Sequence, residues 1–204
     1  MGESRISRRR MVGAAALATT LPAHVFAAGA RPRVAIRTGR GVITIELEDR
    51  KAPITATNFL RYVDTGAYNG GAIWRATRSI GAPKEGTIEG SPSLKVHRFP
   101  PIAHESTTMT GLRPRTGSIS LARYAPGSAT ADFFICVSDE PFLDAHPGAK
   151  GDNLGYAVFG EVVDGMDLVR RILAMHTVKN PSFPKDTPQI LEPPVPILTM
   201  KRVA

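Results

Sequence analysis

Apolar and polar residues alternate along several short segments of the chain, a pattern typical of strands with one buried face. The clearest case is residues 42–47, where three apolar side chains alternate with Thr44 and Glu46. Residues 33–38 form a second segment of this kind, and a short loop at residues 39–41 with two glycines separates the two. Two such segments around a glycine-containing loop predict a β-hairpin.

Two other segments carry apolar residues at the spacing of an amphipathic helix. The first covers residues 54–65, with Pro53 near its start and Gly66 just past its end, the usual order of helix start and stop signals. The second follows Asp164, which we expect to be its N-cap. The apolar positions are Ala56, Phe59, Leu60 and Val63 in the first helix and Met166, Val169, Ile172 and Leu173 in the second.

The remaining segments predict a mainly β protein. Residues 81–116 are rich in Pro, Gly, Ser and Thr, and we expect long loops there with one or two short strands. The other strand candidates are residues 118–122, 133–137, 156–163 and, after a proline-rich tail, 197–203. Many strands with only two helices favour a closed antiparallel barrel with helices over its ends.

The N-terminus has the three-part layout of an export signal. Arg8 and Arg9 precede an apolar stretch at residues 12–18, and small residues follow at 25–28. The arginine pair resembles a twin-arginine signal, with an ordinary Sec signal or a retained anchor as the alternatives. The apolar stretch is too short and too rich in Gly and Ala to span a bilayer well. We therefore predict a signal peptide at residues 1–27 and a periplasmic protein without stable membrane insertion.

Composition and residue chemistry argue against several other functions. The net charge is +8, but part of it comes from arginines in the leader and the rest forms no Lys/Arg block, so nucleic-acid binding is not predicted. Cys136 is the only cysteine, which excludes an intrachain disulfide and a thiolate metal cluster. His97, His104 and His146 lack metal-ligand spacing, and the serines lack a nucleophile-elbow context. We expect neither a metal nor a hydrolase site.

Taken in their order along the chain, several segments resemble the cyclophilin-type peptidyl-prolyl cis-trans isomerases. Arg75, in Ile73-Trp74-Arg75, stands where the family has its catalytic arginine, and residues 128–135 resemble the family's most recognisable run. The likeness covers residues 33–203 and includes features of the bacterial branch. The other matching segments are residues 52–59, 66–68, 117–123, 142–144, 155–160 and 163–166.

The family implies an eight-stranded antiparallel barrel with two helices and an enzyme that speeds rotation about X-Pro bonds. We expect one isomerase domain at residues 33–204, a monomer that acts on proline-containing polypeptides during the folding of exported proteins. Since no bond is broken in this reaction, no cofactor is expected. The resemblance assigns catalysis to Arg75 and substrate binding to Glu89, Leu121, Ala122, Arg123, Asp132, Phe134, Phe142, Leu143 and Tyr156.

Three of the matching positions depart from the family pattern. Glu89 and Asp132 stand where the family usually has glutamines, and Trp74 replaces a usual His or Tyr beside the catalytic arginine. A carboxylate can accept a substrate N–H but cannot donate a hydrogen bond. Glu89 could also pair with Arg75 and draw it away from the prolyl nitrogen. The alternative function is therefore a weakly active or inactive module that binds proline-containing segments.

Overall fold

The computed structural model describes residues 29–180 and 188–204, and its strands close into a barrel. Neighbouring strands follow the order β1-β2-β7-β5-β6-β4-β3-β9, and β9 returns to pair with β1. Each pairing is antiparallel, so the predicted closed eight-stranded barrel is confirmed. A two-residue strand, β8, adds a short pairing to β9. The strands are β1 (Arg33–Thr38), β2 (Gly41–Leu47), β3 (Ala72–Ser79), β4 (Ala82–Ser91), β5 (Ser118–Leu121), β6 (Phe133–Cys136), β7 (Ala157–Asp164), β8 (Thr177–Val178) and β9 (Ile190–Val203).

The described residues also contain two longer helices and two shorter ones. The longer helices are α1 (Pro53–Asp64) and α3 (Met166–Leu173), which fall where the sequence predicts them. The single-turn helix α2 (Thr107–Thr110) and a 3-10 turn (Pro141–Leu143) lie in stretches predicted as loops. In the described ranges, no helix combines the length and apolar character needed to cross a membrane.

The predicted β1–β2 hairpin is confirmed. Its apolar positions point into the barrel, where Ile43, Ile45 and Leu47 have no exposed surface. The polar positions lie outside, where the Glu46 carboxylate accepts a hydrogen bond from Nε of Arg33 at 2.8 Å. The period-2 alternation is therefore sufficient to fix which face of this hairpin is buried.

The start of α1 is capped by a residue far along the chain. Its N-cap residue, Ala52, has no side chain that could accept a hydrogen bond. Instead the buried carboxylate of Glu105 accepts the backbone N–H groups of Ile54 at 3.1 Å and Thr55 at 2.7 Å. A negative charge at this end of a helix is favourable, because the unpaired N–H groups there carry partial positive charge.

The predicted N-cap of α3 is wrong. Asp164 is the last residue of β7, and the N-cap is Gly165, with a left-handed φ of 94°. A Cβ at this position would lie 2.6 Å from the carbonyl oxygen of Val42. The chain passes directly from strand to helix at this point, and only glycine has both the conformation and the space for that turn.

The largest difference from the predicted fold is β4, a single ten-residue strand in a stretch where the sequence predicts long loops with one or two short strands. Its buried positions are Gly86, Ile88 and Gly90, so the strand does alternate, but two of its three inward positions lack a side chain. At Gly90 a Cβ would lie 2.5 Å from the ring of Phe133, which already fills that space. The alternation is therefore invisible to a hydrophobic pattern.

Residues Arg31–Ala204 form one compact unit. Strand β9 begins at Ile190, seven residues before the predicted start, and the prolines of the predicted tail lie partly within it. The predicted signal peptide at residues 1–27 lies outside the described residues, as do residues 181–187 of the proline-rich stretch.

Candidate active site

A bulge in β3 turns Arg75 to the outside of the barrel. In the pairing of β3 with β4, Ile73 lies opposite Gly90 and Arg75 lies opposite Glu89, so Trp74 is an extra residue. In a regular strand Arg75 would face inward like Ile73, since both positions have the same parity. The bulge reverses the alternation, and the next inward residue is Ala76, which is fully buried.

Arg75 belongs to a row of residues on the outer side of the barrel wall that crosses four strands, although Phe134 and Ser120 in this row are themselves buried. It lies opposite Glu89 of β4, which lies opposite Phe134 of β6, which in turn lies opposite Ser120 of β5. Directly opposed residues in antiparallel strands share a face of the sheet. The structure therefore brings together three residues that the sequence assigned to the site, Arg75, Glu89 and Phe134.

The guanidinium of Arg75 is held on two sides. Its Nη1 donates to Oε2 of Glu89 at 3.1 Å. Its Nε donates to Oε1 of Gln189 at 2.9 Å, and its Nη2 donates to the same oxygen. The side chain of Arg75 is one-quarter exposed, at 25%. The predicted pairing of Glu89 with Arg75 is present, whereas the contact with Gln189 was not predicted.

Glu89 is a carboxylate in a shielded position. Its side chain is only 16% exposed. Burial raises the pKa of the Glu89 carboxyl above its ordinary value, and the neighbouring charge of Arg75 opposes that rise. Glu89 therefore accepts a proton more readily than an exposed glutamate, even though it is paired with a cation.

Asp132, the second acidic replacement, has its own cationic partner. Both of its carboxylate oxygens accept hydrogen bonds from Arg98, at 2.7 and 2.8 Å. Arg98 also donates to the side chain of Thr130 at 3.1 Å. Sequence reasoning missed Arg98, which lies in an irregular segment with no periodicity or motif. The acidic residues Glu89 and Asp132 are thus each matched by an arginine.

The two phenylalanines at the start of β6 face opposite ways. Phe133 is buried among the core aromatic rings, 6.0 Å from Phe59 and 5.7 Å from Tyr68 between ring centroids. Phe134 lies on the outer face, where the edge of one ring meets the face of the other in a contact with Tyr156 at 5.3 Å and 88°. Phe134 and Tyr156 thus form an aromatic surface beside Glu89.

Arg123 lies behind Tyr156. Its guanidinium is 4.9 Å from the centre of the Tyr156 ring and donates to the carbonyl oxygen of Gly155 and to the carboxylate of Asp152. The side chain is only 3% exposed. Arg123 therefore packs against the loop that carries Tyr156. The neighbouring Ala122 is half-buried, and its N–H donates to the carbonyl oxygen of Asp132 at 2.7 Å.

The 3-10 turn carries two further predicted site residues. Phe142 is 72% exposed, and Leu143 is half-buried with its carbonyl oxygen accepting the N–H of Tyr156 at 3.1 Å. The turn is fixed at its end by the buried Asp144, which accepts hydrogen bonds from Thr107 and Arg113. Helix α2 therefore helps to hold the 3-10 turn beside Tyr156.

Leu121 is the predicted site residue that the structure does not bring to this face. It is 1% exposed and lies in the hydrophobic core. In the register of the sheet it stands opposite Phe133 and Ala157. Its side chain packs inside the barrel, behind the strands that carry the outer row of residues. The substrate contacts assigned to the other residues stay predictions.

The chain also matches known proteins. The family model for cyclophilin-type peptidyl-prolyl cis-trans isomerases matches residues 33–198. A peptidyl-prolyl cis-trans isomerase A from Dickeya dadantii is 38% identical over 162 residues, which cover 79% of this chain and 81% of that protein. The isomerase B of Escherichia coli is 39% identical over 145 residues, which cover 71% of this chain and 85% of that protein.

Solved structures agree on the fold. A cyclophilin-type isomerase from Cryptosporidium parvum superposes with a TM-score of 0.59 at 20% identity and covers 85% of this chain and 98% of its own. The same protein crystallised in the presence of the dipeptide Ala-Pro gives a TM-score of 0.58 at 20% identity, covering 84% of this chain and 99% of its own. The chain belongs to the cyclophilin-type peptidyl-prolyl cis-trans isomerase family, and the fold and enzyme class predicted from its sequence are confirmed.

Proposed function

We propose that the protein accelerates rotation about X-Pro peptide bonds in exported polypeptides, and that Arg75 stabilises the twisted imide. One observation supports this role above the others. The Arg75 guanidinium lies on the outer face in the same row as Phe134, with one strand between them. A fixed cation and an aromatic surface are thus side by side, as recognition of a prolyl ring and its nitrogen requires.

The reaction needs a group that favours the twisted peptide over both planar forms. X-Pro bonds exchange unaided over tens to hundreds of seconds, because amide resonance imposes a barrier of about 18–20 kcal/mol. When the carbonyl twists out of the plane, the prolyl nitrogen gains a lone pair. A donor such as Arg75 bonds to that lone pair only in the twisted state. Such a difference in binding lowers the barrier.

Arginine suits this role because it remains protonated and offers donors in a fixed plane. Partial burial strengthens its hydrogen bonds relative to those in water. Phe134 and Tyr156 provide an apolar surface for the pyrrolidine ring, and Leu143, next to Phe142 in the 3-10 turn, accepts the N–H of Tyr156. We assign these four residues to the proline pocket, with Ala122 and Asp132 on the side of Phe134 nearer to Arg98.

The Arg75–Glu89 ion pair also favours a second candidate function. Because Glu89 lies 3.1 Å from Nη1 of Arg75, its negative charge opposes donation from Arg75 to a weakly basic nitrogen. If this effect is large, the protein binds proline-containing segments and turns them over slowly. The aromatic surface for the ring is the same in both functions.

The proposed place of work is the periplasm. Arg8 and Arg9 before an Ala-rich stretch support export by the twin-arginine route. We also propose a monomer, because the closed ring of strands leaves no long open edge in the described residues for pairing with a second copy.

A proline-peptide isomerisation assay on the purified protein, with titration of the same peptide, tests the two functions. Acceleration that is proportional to protein concentration supports the enzyme. Saturable binding without acceleration supports the binding module instead. A folded protein that neither binds nor accelerates the peptide contradicts both functions.

A further inference from the structure

We infer that Gln189 is a positioning residue for Arg75, an inference that rests on the proposed catalytic role of that arginine. Gln189 lies immediately before β9, in a stretch whose sequence suggests only a proline-rich tail. It is 114 residues from Arg75 along the chain. Closure of the barrel brings the two together, since β9 pairs with β3 beside the bulge that turns Arg75 outward.

The contact occupies one whole edge of the guanidinium. Nε of Arg75 donates to Oε1 of Gln189 at 2.9 Å, and Nη2 donates to the same oxygen. Thr77 places its hydroxyl 3.4 Å from that oxygen. These donors also fix the orientation of the amide, because its NH2 group could not accept from Arg75. Because Nε and Nη2 share one acceptor, the contact fixes the plane of the Arg75 guanidinium.

The main chain of Gln189 is itself held on both sides. Its N–H donates to the carbonyl oxygen of Val178 in β8 at 3.1 Å, and its carbonyl oxygen accepts the N–H of Ala76 in β3 at 2.8 Å. The side chain thus begins from a backbone that bridges two strands. This anchoring limits the ordering cost of the side chain, and an acceptor placed in advance is what preorganisation requires.

The chemical difference between Gln189 and Glu89 gives them separate roles. An amide oxygen orients the guanidinium without cancelling its charge, whereas the carboxylate of Glu89 orients it and opposes its charge. Since Glu89 holds only Nη1 at 3.1 Å, it does not determine the plane of the fork by itself. Gln189 therefore keeps Arg75 aimed while leaving it fully cationic.

The test is a double-mutant cycle between Gln189→Met and Arg75→Lys. Methionine keeps the approximate length of the side chain and removes the acceptor. We expect Gln189→Met to lower the isomerisation rate about tenfold with peptide affinity changed less than twofold, since the aim of Arg75 matters most in the transition state. In the Arg75→Lys background the same change should have little further effect, because lysine has no planar fork to orient.

Controls separate positioning from a general structural effect. Glu192→Met makes a similar change at an exposed position of β9 and should leave rate and affinity unchanged. Gln189→Glu keeps an acceptor in place. Its melting temperature should therefore equal that of the wild type, and its rate should exceed that of Gln189→Met. Circular dichroism and thermal melting check that each variant is folded.

The outcomes distinguish this inference from the proposed function. Equal rate losses for Gln189→Met in the arginine and lysine backgrounds would mean a structural role and overturn the inference. Full activity of Gln189→Met, together with an inactive Arg75→Ala variant, would also overturn the inference. That result would leave the proposed function standing. A fully active, folded Arg75→Ala protein would instead overturn the proposed catalytic role of Arg75 and leave the isomerase activity standing.

Discussion

Glu89 lies directly opposite Arg75 in the β3–β4 pair, with its Oε2 3.1 Å from Nη1 of the arginine. The residue taken to be the catalytic cation therefore has an anionic neighbour. Glu89 holds the guanidinium in place, and it also weakens the donor strength of the guanidinium toward a third group. We expect the balance between these two effects to set the isomerisation rate.

We predict that Glu89→Gln raises the isomerisation rate, by about threefold to tenfold. Glutamine keeps an oxygen that accepts from Nη1 but removes the negative charge, so Arg75 donates more strongly to the prolyl nitrogen. The measurement is kcat/KM on a proline peptide, with Glu85→Gln at an exposed position of the same strand as the matched control. A lower rate in a folded Glu89→Gln protein would mean that the carboxylate assists catalysis.

The pH dependence of the isomerisation rate should reflect the protonation of Glu89. Burial raises the pKa of Glu89 above its ordinary value, so the wild-type rate should increase as the pH falls through that raised value and the charge beside Arg75 is lost. Asp132, the other charged group that acts on this carboxyl, is itself paired with Arg98 through two hydrogen bonds. Glu89→Gln should remove this step from the pH–rate profile, and a step that persists would assign it to another group.

The free energy of unfolding should also depend on the protonation of Glu89, and the direction of the change follows from the raised pKa. The folded protein binds the Glu89 proton more tightly than the unfolded chain does, since burial raises the pKa of this group. Its contribution to stability is therefore greatest below the ordinary carboxyl pKa and is lost as the pH rises through the raised value. Denaturant unfolding of wild type and Glu89→Gln at several pH values should show this slope only in the wild type.

The strands were predictable from the sequence where apolar and polar side chains alternate without interruption, as in β2 with Ile43, Ile45 and Leu47. Strand β3 was not predicted, because the extra residue Trp74 interrupts the alternation between Ile73 and Ala76. A hydrophobic pattern does not reveal β4, because two of its three buried positions, Gly86 and Gly90, have no side chain, and at Gly90 the ring of Phe133 fills the space. A hydrophobic pattern reflects the side chains of the strand itself, whereas the side chain buried at Gly90 comes from the neighbouring strand β6.

The assignments at the site had a similar limit. Arg75 and Phe134 could be proposed as site residues because local motifs carry them, and Glu89 could be suspected as a partner of Arg75. Gln189 and Arg98 could not, since each reaches the site from a distant, irregular segment only once the barrel has closed. The bulge at Trp74, which turns Arg75 outward, likewise depends on the pairing of β3 with β4.

The two phenylalanines of β6 allow a matched test of the proline pocket. Phe134→Leu should weaken the binding of proline peptides several-fold, because it removes the ring that packs edge-on against Tyr156. Phe133→Leu should cost stability, on the order of 1 kcal/mol, and leave affinity nearly unchanged, since that ring lies in the core. Peptide titration and denaturant unfolding measure the two effects. A folded Phe134→Ala protein with wild-type affinity would show that the pocket lies elsewhere.

Export can be tested in cells through the arginine pair. Replacing Arg8 and Arg9 with lysines keeps the charge of the leader and removes the feature that resembles a twin-arginine signal. We expect the precursor to accumulate and the processed protein to be lost from the periplasmic fraction. Unchanged export of the double mutant would point to the Sec route. A leader that is retained on the exported protein would indicate an anchor.

The central prediction concerns Arg75 itself. Arg75→Ala should lower the isomerisation rate by about 10²–10³, the typical cost of losing one preorganised donor. Arg75→Lys should recover only part of this loss, because an ammonium lacks the planar fork that Gln189 and Glu89 hold. Peptide affinity should change much less than the rate, since the prolyl nitrogen offers its lone pair only in the twisted state.

The matched control is Arg78→Lys, a change of the same kind three residues along β3, where the arginine donates to the carbonyl oxygen of Leu173 rather than to the site. That variant should lose some stability and keep its rate per folded molecule. Alanine in place of Arg75 also leaves the buried Glu89 without its cation, so a rate loss alone could reflect a disturbed carboxylate. The double variant Arg75→Ala with Glu89→Gln removes that ambiguity. It should remain as slow as Arg75→Ala, because the missing donor and not the remaining charge limits the reaction, and recovery of the rate would assign catalysis to another group.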